Sequence, residues 1–433
     1  MAELTGKTIP QVGTTIFRPP YTPTAIGAFG GRDRDKDFRP IRKTPSHKWA
    51  EEQGAVFVEV GMWLRAQWFP KSNERHWRES VDREVLATRN SAGICDVTTL
   101  GKIDVQGSDA AIFLNKIYAN GFAKLAIGKT RYGLMLREDG IVMDDGTAGR
   151  LAEDHFVVTT TTANAVPVYR HMEFARQCLW PDLDVQLIST TESWAQYAVA
   201  GPNARRLLQK VVDPSFDISN KAFPFMGCAN ITVCGGLRAR LFRISFSGEL
   251  AFEIAVPTRY GDAMMRRLMK EGEEFDVTPY GTEALGVMRI EKGHATGNEL
   301  NGTTTALNLG MGGMVSKKKD SIGSTLSERV GLNSEDALKL VGFRPVNSKD
   351  PVPAGSHLMT KGDPVDAAHD QGYVTSACYS PNLGYSIAIG YLKSGDTRKG
   401  EIMRLVSPLT GYDHEVEVVS THFLDPEGER MRA

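Results

Sequence analysis

The stretch "RYGLMLREDGIVMDDGT", Arg131 to Thr147, sets two apolar runs on either side of Asp139-Gly140 and closes on adjacent aspartates, Asp144 and Asp145. Asp-Gly between such runs is a strong hairpin signal, because glycine supplies the positive φ that a tight turn demands. Strand alternation puts Asp145 with Ile141 and Met143 on one face, and Asp144 with Val142 on the other. Both faces begin apolar, so periodicity leans only slightly toward burying Asp145. Two readings of the pair stand open. One has turn-closing aspartates bonded to backbone; the other has a carboxylate held against apolar neighbours, its pKa raised, acting as proton acceptor or polar anchor.

Around this hairpin the chain alternates strand and helix signals from about Glu51. "HFVVTTTT" (His155 to Thr162) is β-branched enough for a strand, and "ANAVPVYRHMEFARQCLW" after it reads as a helix with Pro167 in an early turn. "GPNARRLLQKVV" and "TRYGDAMMRRLMKEG" are amphipathic, with their Met and Leu residues at core spacing. "TPYGTEALGVMRIEKG" predicts a helix with Thr278 as N-cap and Pro279 at the first position. From about Asp336, short strand runs such as "YSIAIGYL" and "HEVEVVSTHFL" point to a small C-terminal β-barrel or sandwich. Residues 1–50, with "FRPPYTPTAIGAFGGRDRDKDFRPIRKTP", are rich in Pro, Gly and Arg and suit an extended arm. The expected organisation is thus an arm over 1–50, a core of two subdomains over 51–335, and a β-domain over 336–433.

A second acidic stretch is "LFRISFSGELAFEI", Leu241 to Ile254, which alternates as a strand, breaks at "SGE" and resumes. Glu253 lies between Phe252 and Ile254, so it is either an edge-strand glutamate in solvent or an inward acceptor. An inward carboxylate suits the N–C–N edge of a heterocycle, where it takes two parallel hydrogen bonds. Tyr132 precedes the Asp-Gly turn and Phe246 precedes Glu253, so each acid has an aromatic ring in its own segment. Ring plus carboxylate is a recipe for a flat, hydrogen-bonding ligand such as a pterin, although ordinary cores contain both.

Other chemistries find no support. Lys+Arg total 51 against Asp+Glu 52, so net charge attracts neither nucleic acid nor an anionic membrane. "SKKKD" (Ser316 to Asp320) is the densest basic patch, read as a solvated loop or as a landing site for an anionic tail. The 5 cysteines are scattered without CxxC or paired His, so no metal site or disulfide framework is expected. No GxGxxG opens a βαβ unit, and GxxxxGK[ST], HExxH and a nucleophile elbow are missing; the histidines, His294 among them, read as structural. No secretory signal or run of about 18 apolar residues is present, so the expectation is a cytoplasmic protein.

"RNSAGICDVTTLGKIDVQGSDAAIFLNKIYAN", "KTRYGLMLREDGIVMDDGT", "WAQYAVAGPNARRLLQKV", "FRISFSGELAFEI" and "GYVTSACYSPNLGYSIAIGYL" together resemble the aminomethyltransferase family, which includes the T-protein of the glycine cleavage system. Within it the chain is most similar to the folate-binding C-terminal half of the heterotetrameric sarcosine oxidase α subunit, a likeness that "FDVTPYGTEAL" and "LNLGMGGMVSKKKDSIG" extend. The resemblance implies an α+β, three-domain cloverleaf around a tetrahydrofolate site, ending in a β-barrel. It implies that Asp145, the second of the pair, is catalytic, that Glu253 binds the pterin, and that Tyr132 and Phe246 line its slot. Phe246 stands where T-proteins have tyrosine, and "GTEALGVMRIEKG" lacks the T-protein Arg-Asp pair, which points away from glycine cleavage. The expected activity is capture of an oxidised N-methyl carbon as 5,10-methylene-tetrahydrofolate, with flavin and NAD on partner subunits of a hetero-oligomer. The alternatives are a stand-alone tetrahydrofolate-dependent demethylase or methyltransferase, and a non-catalytic assembly subunit.

Overall fold

The computed structural model describes residues 42–433, together with Gly6 and Thr8, so most of the expected arm lies outside the described residues. Where the description begins, the chain is already part of the body. β1 (Arg42–Lys43), β2 (Val56–Val60) and β3 (Trp63–Trp68) form a three-stranded sheet, and the helix His47–Glu52 buries Trp49 and Ala50.

The chain then moves between two larger sheets. After the helix Trp77–Asn90, β4 (Gly93–Asp96) enters the first of these, and the chain crosses over to the second. There β5 (Gly101–Gln106), β6 (Thr130–Leu136), β7 (Val142–Ala152), β8 (His155–Thr160) and β9 (Gln186–Ser189) form five strands in the order β6-β7-β8-β5-β9. It returns through β10 (Trp194–Ala200), β11 (Cys228–Val233), β12 (Leu237–Phe242), β13 (Ala251–Pro257) and β14 (Thr278–Pro279), completing six strands in the order β11-β12-β13-β10-β4-β14. The last six strands, β15 (Leu338–Pro345), β16 (His357–Met359), β17 (Gly372–Ser380), β18 (Tyr385–Lys393), β19 (Ile402–Ser407) and β20 (Tyr412–Val419), close into a barrel. Each body has its own apolar core, which accounts for a chain this long splitting into three.

The helices follow the sequence pattern with two departures. Ala165–Phe174 is helical with Pro167 in its first turn, but it runs on as a π-helix over Ala175–Leu179. The helix Gly261–Glu271 buries Met264, Met265 and Leu268, so its methionines are core. Thr278 and Pro279, however, do not cap a helix. They form β14, parallel to Gly93 and Ile94 of β4, at a sheet edge where a proline without an N–H is tolerated. The helix starts only at Thr282, and its N-terminus is met by a distant carboxylate: Glu84 Oε2 accepts from Gly281 N at 2.9 Å, while Oε1 accepts from Phe69 N at 2.7 Å.

Contacts across the sheets hold the bodies together. Arg240 of β12 donates twice to Asp104 of β5, at 2.9 and 2.6 Å, and lies 4.2 Å from the Trp194 ring. His155 and Thr190 complete the shell of Asp104, each at 3.0 Å. On the barrel side, the irregular segment after Gly293 fills the space beside β6 and β7. Ala295, Ala306 and Leu309 pack there with Leu134, Leu136 and Val142.

Candidate functional site

The Asp139-Gly140 turn forms as its sequence demands. Gly140 has φ +85°, its N–H donates to Arg137 O at 3.0 Å, and Asp139 Oδ1 accepts from Ile141 N at 3.1 Å. Beyond the turn a β-bulge intervenes: Leu136 pairs with Val142 but Met135 pairs with Asp144, which leaves Met143 unpaired. Val142 and Asp144 are both buried, whereas Met143 and Asp145 are intermediate. By surface exposure Asp144 is the more covered acid, while Asp145 is also desolvated enough for burial to act on its carboxyl. Asp144 is the one turned into the interior, 2% exposed, and that side of β7 carries neighbours that satisfy it.

This difference separates the roles of the two acids. Asp144 accepts from Thr161 Oγ1 at 2.7 Å, Asn164 Nδ2 at 3.0 Å and Thr161 N at 3.2 Å, so its oxygens are spent on structure. Asp145 has one side-chain partner, the Tyr132 hydroxyl, which donates to Oδ2 at 2.9 Å. Tyr132 pairs with Thr147 across the hairpin, and Asp145 sits two residues back on the same face, within diagonal reach of a long side chain. Burial, and then the like charge of Asp144, raise the Asp145 carboxyl to about 7. Burial and Asp145 push the Tyr132 phenol far above its ordinary value, so Tyr132 stays a donor. Among the described residues one Asp145 oxygen thus remains without a side-chain partner, on a group poised to exchange a proton near neutral pH.

Glu253 is buried, not solvent-facing. β13 is central in its sheet, between β12 and β10, and every residue from Ala251 to Val256 is buried, so strand alternation does not sort its faces into wet and dry. Gln196 Nε2 of β10 donates to Glu253 Oε2. Burial raises the Glu253 carboxyl to about 6, opposed by the Gln196 hydrogen bond and by the charge of Lys102. The Gln196 hydrogen bond and the Lys102 charge favour its ionised, acceptor-only form.

Phe246 does not continue the β12 strand as its alternation predicts. The strand ends at Phe242, and residues 243–250 form a loop. Buried Arg89 anchors it, donating to Ser247 O and to Glu249 Oε1, both at 2.8 Å, and a salt bridge to Glu291 at 2.6 Å ties Arg89 to the helix Thr282–Lys292. Phe246 is 37% exposed, and its ring lies 5.6 Å from that of His294 at 30°. Asp145 and Tyr132 are in direct contact, and Ala295, next to His294, shares an apolar cluster with Tyr132. Glu253 contacts a different set, on the six-stranded sheet.

Three groups escaped the sequence reading. Gln196 gave no signal in "WAQYAVA" beyond one polar residue in an apolar strand. Lys102 is 2% exposed, with its ammonium on the carbonyls of Thr98 at 2.7 Å, Leu100 at 3.0 Å and Thr191 at 3.4 Å, at the two crossovers between the sheets. Burial lowers it to about 7. His294, read as an isolated structural residue, stands against Phe246. In the "SKKKD" patch, Lys317 and Lys318 are exposed, while Lys319 donates to the carbonyls of Asn115 and Tyr118. Among the described residues, no group of three or more His, Cys, Asp or Glu could hold a metal ion, and no helix is long and apolar enough to cross a membrane.

A buried acceptor on one sheet, a half-satisfied acid on a hairpin and an aromatic pair on a pinned loop, all carried by the two-sheet body with a barrel, define a class. Residues 46–319 match the GCVT N-terminal domain, and residues 339–425 match the glycine cleavage T-protein C-terminal barrel domain. The chain belongs to the aminomethyltransferase family. It is 50% identical over its full length to the sarcosine oxidase subunit alpha of Rhizobium meliloti, of which it covers 44%. It is 28% identical to the aminomethyltransferase of a Geobacillus species, over 88% of this chain and 98% of that one. The crystal structure of the glycine cleavage aminomethyltransferase T of Bartonella henselae superposes with a TM-score of 0.75 at 25% identity, covering 89% of this chain and 99% of that one. The chain therefore spans less than half the length of the sarcosine oxidase subunits it matches.

Proposed function

We propose that this chain is the tetrahydrofolate-binding part of a sarcosine oxidase-like, N-methylamine-oxidising hetero-oligomer, and that it captures the released carbon as 5,10-methylene-tetrahydrofolate. The observation that carries the reading is the asymmetry of the acid pair. Asp144 has three hydrogen bonds from Thr161 and Asn164, whereas among the described residues Asp145 has a single side-chain donor, and its carboxyl is raised to about 7. The full-length likeness to sarcosine oxidase α subunits supports the choice of complex. Flavin and NAD belong to partner subunits in this reading.

The donor set fits a reduced pterin. Tetrahydrofolate, when bound, supplies the amine nitrogens that take up one carbon. Glu253 accepts from the N–C–N edge of the ring, held in position by Gln196. Phe246 offers a ring face at the mouth, and Tyr132 orients Asp145 while leaving its second oxygen open. Asp145 would hold or take up a proton at its open oxygen beside the bound amine, a task that its near-neutral carboxyl matches. Tyr132 packs against the apolar cluster of Leu134, Leu136, Ala295 and Leu309, and such a dry flank would help to protect a reactive electrophile from hydrolysis.

Calorimetric titration with tetrahydrofolate tests the core of the reading; no binding at high micromolar ligand would favour a non-catalytic assembly subunit. Incubation with tetrahydrofolate and an N-methylated amine, without a flavoprotein, should yield no 5-methyl-tetrahydrofolate. Its appearance would establish a stand-alone methyl transfer instead. Co-purification from the native source should bring down a flavin-coloured complex.

A further inference from the structure

The proposed function leaves His294 unused, yet its setting is specific. Gly293 ends the helix Thr282–Lys292 at φ +80°, and His294 N–H bonds back to Arg289 O at 2.9 Å, so the chain leaves the helix in a fixed direction. The imidazole then meets the pinned loop, with Nδ1 3.0 Å from Phe246 O. A carbonyl only accepts, so Nδ1 carries the proton and Nε2 is a bare lone pair. Nε2 has no hydrogen-bond partner among the described residues, and it is not sealed from solvent as His47 Nδ1, His171 Nε2 and His414 Nε2 are. Burial and the neighbouring cations Lys292 and Arg289 keep the ring neutral, lowering it to about 4. The result is a fixed-tautomer acceptor beside an exposed aromatic ring, on the segment whose next residue packs in the Tyr132 cluster.

We propose that His294 Nε2 is a further binding residue of the site, accepting a hydrogen bond from an N–H of the ring that Phe246 receives. This rests on the folate reading of that site. Its physical content is a division of labour within one side chain: Nδ1 holds the loop, and Nε2 reads the ligand. A structural histidine needs only the first.

Two variants separate the halves. His294→Asn places an amide near Nδ1, so it can keep the loop contact but offers nothing at Nε2. His294→Gln reaches the Nε2 position with a carbonyl oxygen but cannot serve Phe246 O. Titrating the full chain with tetrahydrofolate should show roughly tenfold weaker binding for His294→Asn, the loss of one hydrogen bond, and a smaller change for His294→Gln. Thermal melting should rank them the other way, with the glutamine variant the less stable. If His294→Asn binds like the wild type while His294→Gln weakens, the residue only anchors the loop and the proposal is overturned. A wild-type chain that binds no tetrahydrofolate would instead overturn the folate reading, and the His294 role with it.

Discussion

Replacing Asp145 by asparagine should make the protein more stable and less active, and the stability gain should depend on pH in a defined way. In the unfolded chain an aspartate titrates near its ordinary value of 3.8, whereas in the fold burial and Asp144 raise Asp145 to about 7. The folded state therefore binds more protons between these values. Wild-type stability from this group falls as pH rises from about 4 to about 7, and is flat above that. One pKa unit is about 1.4 kcal/mol, so from pH 5 to pH 8 this group alone costs at most about 3 kcal/mol, and about 1 once water and side chains relax. The Asp145→Asn side chain keeps an oxygen for the Tyr132 hydroxyl but has no charge to desolvate, so the variant lacks that slope. Urea unfolding of both proteins from pH 5 to pH 9 should show the difference growing up to about pH 7 and then levelling. Methylene transfer by the wild-type complex should rise over the same window and be lost in the variant. Parallel stability curves would refute the raised carboxyl, and unchanged carbon transfer would refute the catalytic role.

Three further outcomes follow from other contacts. Asp104→Asn leaves Arg240 buried without its charge partner and should cost on the order of 3 kcal/mol by chemical denaturation. Burial pulls the Asp104 carboxyl up, but the hydrogen bonds from His155 and Arg240 outweigh it and hold the group well below its ordinary value. The wild-type advantage should therefore be present above about pH 4 and vanish in acid below it; an equal gap at all pH values would contradict this. Glu253→Gln replaces a charge-assisted acceptor with an amide that presents a donor, and should weaken tetrahydrofolate binding about 10- to 100-fold by calorimetry with little change in melting temperature. Gly281→Ala would bring a Cβ to 2.0 Å from Gln67 O and unseat the Glu84 contact; a loss of about 2–4 kcal/mol is expected, and a variant as stable as wild type would show that the backbone there can give way.

Much of the architecture was legible because it rests on local chemistry. Asp139-Gly140 dictates its turn through glycine's positive φ, the Met and Leu spacing of Gly261–Glu271 marks a buried face, and the short runs after residue 336 announce strands. The Thr278-Pro279 expectation failed because a cap signal is local while the pairing with Gly93 and Ile94 is not. Alternation grouped Asp144 with Val142 and Asp145 with Met143 as observed, but the partners Thr161 and Asn164, about twenty residues on, determine which carboxylate is satisfied.

By itself the sequence determined the family and the hairpin, because motif order and turn chemistry are written along the chain, and the resemblance nominated Tyr132, Asp145, Phe246 and Glu253 as candidates. Tertiary structure alone decided how those residues differ. Among the described residues Asp145 keeps an oxygen without a side-chain partner because Thr161 and Asn164 turn to Asp144; Glu253 is buried because β13 is central in its sheet; and His294 faces Phe246, 48 residues away in sequence, because Arg89 pins the Phe246 loop. Burial and hydrogen-bond satisfaction are properties of neighbours in space, and periodicity along one strand carries no information about them.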